Sequence, residues 1–86
     1  MTNTADLDDT NRIEQLVERL KAARLPAPSQ RRQIREDARV SLRVGAKALG
    51  VEVLTLRRWE GGKPPRRLED QIRYAEFLNR LSELER

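Results

Sequence analysis

Helix-breaking residues recur at short intervals along this 86-residue chain, and they limit what it can fold into. Pro26 and Pro28, Gly50, Gly61-Gly62 and Pro64-Pro65 cut it into segments of one to five helical turns. Proline excludes the residue before it from helix, and glycine ends helices through its left-handed conformation. Within the segments the apolar residues recur at three and four, not at two. No alternating strand pattern, internal repeat or low-complexity tract appears. The expected class is all-α, a bundle of short helices.

The spacing predicts the elements in turn. Residues 1–8 are polar, acidic and aperiodic and read as a disordered N-terminus. An N-terminal helix is expected from Asp9 to Arg24, within a unit 9–25. Asn11 and Glu14 there have capping-box spacing, and Ile13, Leu16, Val17 and Leu20 form one narrow stripe. A second helix starts at Pro28 or Ser29 and runs to Ala38, with Ile34 and Ala38 inward and proline in the first turn. Ser41 caps a third, Leu42–Leu49, which Gly50 ends. A fourth runs from Val53 to Glu60. A last helix is expected from near Pro65 to Leu84, completing a domain over 28–86.

Composition removes whole classes of chemistry. With no Cys there is no disulfide or zinc-thiolate site, and with no His there is no imidazole base or ligand. Trp59, Tyr74 and Phe77 are the only aromatics, too few to line a large pocket, and Trp59 and Tyr74 read as core. Ser29 and Ser41 read as helix caps. No catalytic residue, metal or cofactor is therefore expected, and the chain is not expected to be an enzyme. No apolar run approaches the ~20 residues of a membrane span, and the expected compartment is the bacterial cytoplasm, at the nucleoid.

The net charge of +4 is unevenly distributed. Residues 1–23 carry −2, residues 24–67 carry +8 and residues 68–86 carry −2. A basic centre between acidic ends suits a polyanion, because each neutralised phosphate releases condensed counterions.

The basic centre contains the most informative stretch, Ser41 to Gly61: S-L-R-V-G-A-K-A-L-G-V-E-V-L-T-L-R-R-W-E-G. It reads as two short helices about a tight turn at Gly50, with small Ala46 at their closest approach. Val51, Leu56 and Trp59 face inward, leaving Val53, Leu54, Thr55, Arg57 and Arg58 outward. A short helix bearing two arginines fits the major groove, where Arg bridges guanine O6 and N7.

From Pro28 to Leu81 the chain resembles the lambda-repressor-like helix-turn-helix regulators of Xre/Cro type. The matching pieces are V-S-L-R, A-K-A-L-G-V, T-L-R-R-W-E-G-G and Y-A-E-F-L-N-R-L. It looks closest to small regulators of actinobacteria and their phages, and fifteen Arg against three Lys fits a GC-rich genome. The resemblance implies a double-stranded DNA partner and a transcriptional regulator. Base-reading positions fall on Val53, Leu54 and Arg58, with Leu42 behind them. Arg57 joins that set, with a phosphate contact as its other reading.

Phosphate contacts are expected from Arg43, Thr55, Lys63, Arg66 and Arg67, and secondarily from Arg31 and Arg32. Arg35 and Glu60 occupy the positions of a structural ion pair, and Glu52 sits where the helix dipole favours an anion. The chain departs from the family pattern at Gly45, where an apolar core residue is usual, and at Val44, where a polar one is. Arg39 replaces a frequent glycine, and Leu42 and Val53 replace polar readers. Two alternatives remain at this point. One is an excisionase-like architectural protein, with T-L-R-R-W-E as recognition helix and G-G-K-P-P as wing. The other is an antitoxin-type interaction module.

Two apolar stripes are expected on the last helix. Leu68, Ile72, Ala75 and Leu78 would close the core. Tyr74, Phe77, Leu81 and Leu84 would receive the N-terminal helix, within one chain or across a homodimer. The short proline linker favours the monomer slightly.

Overall fold

The computed structural model describes residues 4–84, and among them the chain is all-helical, with no strand. Five helices follow in order: α1 (Thr4–Ala22), α2 (Pro28–Asp37), α3 (Leu42–Leu49), α4 (Val53–Glu60) and α5 (Leu68–Glu83). None is long and apolar enough to cross a membrane.

The two central helices obey their local signals. Ser41 Oγ accepts the Val44 N–H at 3.1 Å, satisfying one of the free donors of the first turn. Gly50 ends α3 at φ +71°, where a side chain would be strained. Glu52 caps α4 through its backbone carbonyl, which accepts from Leu56 at 3.1 Å, and its side chain makes no capping bond.

Other boundaries move. α1 starts at Thr4, not Asp9, and ends at Ala22. The expected disorder of 1–8 therefore fails over 4–8, while residues 1–3 lie outside the described residues. Nothing between 4 and 22 breaks a helix, and Asn11 lies inside it instead of capping it. Ser29 is no cap either: Ala27 precedes α2, and Gln30 Oε1 accepts the Ala27 N–H at 3.2 Å. α5 starts at Leu68, not near Pro65. Pro65 is buried, and its carbonyl accepts from Gln71 Nε2 at 2.7 Å, holding residues 63–67 out of helix.

The core lies among α2–α5, around Ala46, Leu49, Leu56, Tyr74 and Leu78, with Ile34, Leu42, Val51, Trp59 and Phe77 packed against it. The Trp59 and Tyr74 rings meet at 5.0 Å between centroids. Gly45 does not leave the core thin. A Cβ there would sit 3.1 Å from Leu56 Cδ2 and 3.4 Å from Phe77 Cζ, so neighbours from α4 and α5 already fill that space. Arg39 adopts φ +60°, a left-handed conformation that costs a non-glycine residue about 1–2 kcal/mol.

The stripes of α5 exchange parts of their roles. Phe77, expected to receive α1, and Tyr74, read both as core and as part of that stripe, belong to the core with Ala75 and Leu78. Ile72, expected inside, borders a depression shared with Ala22 of α1. α1 packs on α5, where Arg19 pairs with Glu69 at 3.4 Å. The Glu69 carboxyl is held below its ordinary range, first by its own backbone N–H and then by Arg19.

The stripe of α1 is only partly covered by its own chain. Residues 9–22 are all exposed, and Ile13, Leu16, Val17 and Leu20 lie 42–62% open to solvent. The radius of gyration is 16.2 Å, against about 12 Å for a compact domain of this length. The extents, 57 × 29 × 20 Å, fit a compact α2–α5 unit from which α1 projects.

Candidate nucleic-acid interface

Helix α4 is held from beneath by two arginines of α2, Arg35 and Arg31. Arg35 of α2 meets Glu60 with two hydrogen bonds, at 2.5 and 3.0 Å, and donates a third to the Val40 carbonyl at 2.8 Å. Both side chains are under 10% exposed. The bond to Glu60 holds the Arg35 proton more firmly than usual. Such a bidentate pair fixes orientation as well as distance.

Arg31, expected as a secondary phosphate ligand, is buried. It donates to the carbonyls of Pro26 at 2.8 Å and Trp59 at 2.9 Å. Its charge therefore satisfies the last turn of α4, where the helix dipole favours a cation, and cannot reach a phosphate from there. Arg73 of α5 does the same for α3, donating to the Leu49 carbonyl beside Gly50. The Arg35–Glu60 pair is the one the resemblance implied, whereas nothing in the sequence marks Arg31 and Arg73, whose carbonyl partners lie 28 and 24 residues away.

The braced helix turns Leu56 inward and leaves Val53, Leu54, Arg57 and Arg58 exposed. Leu54 lies at the middle of that face, 54% open, and Val53 is 38% open. The two arginines diverge. Arg57 borders a cleft with Arg32, Leu42 and Gly61, above the Arg35–Glu60 pair. Arg58 borders the opposite cleft with Thr55, Lys63, Arg66 and Arg67.

The second cleft gathers four of the expected DNA contacts beside Arg58. Its acid, Asp70, faces Arg73 at 3.5 Å, which offsets its charge. Arg67 reaches Glu69 only at 3.9 Å in an exposed pair. Among the described residues Arg57, Arg58, Lys63 and Arg66 have no ion pair, whereas Arg32 bonds Glu36 at 3.1 Å. Arg43 is exposed near the start of α3 and borders neither cleft.

The loop after α4 is set by the backbone. The Gly61 and Lys63 N–H groups donate to carbonyls of the last turn, the latter to Arg58 at 3.1 Å. Gly62 lies at φ +102°, a conformation side chains rarely adopt. The loop therefore returns Lys63 to the flank of α4 on which Arg58 lies.

No family model, curated protein or solved structure matches the chain.

Proposed function

We propose that the chain is a sequence-specific double-stranded DNA-binding transcriptional regulator of lambda-repressor-like helix-turn-helix build. In this reading α3 and α4 are the paired helices, and α4 lies in the major groove. The carrying observation is a rigidly braced helix whose open face bears Val53, Leu54, Arg57 and Arg58, flanked by unpaired cations.

The chemistry follows from that arrangement. Arg58 donates to a guanine edge, Val53 and Leu54 meet thymine methyls, and Arg57 reaches a base or phosphate on the other flank. Thr55, Lys63, Arg66, Arg67 and Arg43 contact phosphates, fixing register without reading sequence. No catalytic step, metal or cofactor is part of the proposal. The protein would act at the bacterial nucleoid.

The excisionase-like reading needs a two-stranded wing after α4. Residues 61–67 form a turn and loop instead, and α5 follows directly, so the regulator reading has the stronger support.

Titration of labelled duplex DNA across salt concentrations tests the electrostatic part. About four to six phosphates per protomer should give a log–log slope of roughly −3.6 to −5.4. A flat dependence would contradict it.

A further inference from the structure

We propose that α1 is a self-association element: two copies of the chain pair through their α1 stripes in an antiparallel, two-fold arrangement. The proposal stands independently of DNA binding.

Four apolar side chains, Ile13, Leu16, Val17 and Leu20, lie on one face of α1 and stay 42–62% exposed although α1 packs on α5. The body of the molecule leaves about half of each side chain open, and a surface helix draws most of its stability from packing its amphipathic face. An amphipathic face left open in this way marks an interface.

The occupant follows from the order of the residues. The spacing along the stripe is three, one, three, which reads the same in both directions. An antiparallel copy centred between Leu16 and Val17 therefore sets Ile13 against Leu20 and Leu16 against Val17. Every apolar residue meets an apolar residue, as a two-fold contact requires.

The flanks agree with the same arrangement. Glu14 and Lys21 lie on one side of the stripe, Arg12 and Arg19 on the other. In an antiparallel two-fold pair each flank faces its own copy. Glu14 then comes within about 3 Å of axial level with the second copy's Lys21, which its own Glu18 holds at 3.3 Å in an exposed pair, so Glu14 joins Glu18 around that ammonium and the reciprocal contact forms as well. The arginine flank would oppose like charges, but both are already neutralised, Arg12 by Asp9 at 3.5 Å and Arg19 by Glu69 at 3.4 Å. Covering the four side chains in both copies buries on the order of 800 Å², the size of a weak interface, so association in the micromolar range is expected.

Sedimentation equilibrium from micromolar to sub-millimolar protein tests this, with circular dichroism to verify folding. The wild type should dimerise, and Leu16→Asp should remain monomeric with unchanged helicity of the α2–α5 unit. Glu14→Lys and Lys21→Glu should each weaken self-association about tenfold. Mixing those two variants should restore it, because each copy then supplies the charge the other lacks. A wild type that stays monomeric overturns the proposal, as does a dimer indifferent to Leu16→Asp. Single variants that weaken association without restoration on mixing overturn the antiparallel arrangement.

Discussion

The α2–α5 unit and helix α1 are built from similar residue types and reach opposite outcomes. Both contain leucines at helical spacing and arginines beside acids. In α2–α5 the leucines interlock and three arginines reach across to bond other elements. In α1 the stripe meets solvent, and its ion pairs are exposed, two of the three local to the helix. Amphipathicity alone therefore does not place a helix in a core. What distinguishes the two regions is closure, with elements on several sides of the same apolar face.

Substitutions of like chemistry should separate the regions most. Leu56→Ala empties a fully buried position and should cost about 3–5 kcal/mol of stability by urea denaturation. Leu20→Ala, at a half-open position, should change it by less than about 0.5 kcal/mol at dilution. Equal costs would break the comparison.

The next effect comes from the charges. Arg35→Ala leaves the Glu60 carboxylate buried without its partner and should cost about 3 kcal/mol. Removing Arg12, whose pair with Asp9 is open to water, should leave the denaturation midpoint unmoved. A midpoint unmoved by Arg35→Ala would mean that α4 is held by packing alone.

Alkaline pH sharpens the same contrast more gently. Burial raises the Tyr74 hydroxyl to about 12, and it finds no hydrogen-bond partner among the described residues. The unfolded chain then loses this proton first, near pH 10. The native state thus holds more protons between those values, and stability falls as pH rises from 10 through 12. Thermal melts should show that decline, and Tyr74→Phe should remove it while preserving or raising stability at neutral pH. A decline retained in Tyr74→Phe would assign it to another group.

Much of this architecture was legible in the sequence where the signal is local. Ser41, Gly50 and Gly61-Gly62 bound α3 and α4 because caps act within a few residues. The start of α1 was not legible, since Asn11 and Glu14 imitate a cap in a stretch that nothing interrupts. Pro65 reads as the first turn of a helix, yet its burial and the Gln71 bond hold it in the loop. Periodicity showed two stripes on α5 but not which side α2 and α3 would occupy, and Phe77 went inward beside Tyr74, whose core reading holds. At the candidate interface the exposed set on α4 followed from the inward spacing of Leu56 and Trp59. The burial of Arg31 did not follow, because it depends on the distant carbonyl of Trp59. The divergence of Arg57 and Arg58 into opposite clefts likewise needs the surrounding helices.

The central claim is that the open face of α4 reads bases while its flank grips phosphates. Selection of bound sites from random duplex DNA, repeated with Arg58→Ala and with Lys63→Ala, tests it most directly. The account predicts a defined site for the wild type and lost preference at one base pair for Arg58→Ala, at a cost of about 1–3 kcal/mol. Lys63→Ala should select the same site, bound more weakly for every sequence. A wild type that selects no site, or an Arg58→Ala variant that weakens all sequences equally with the preference intact, would contradict the claim.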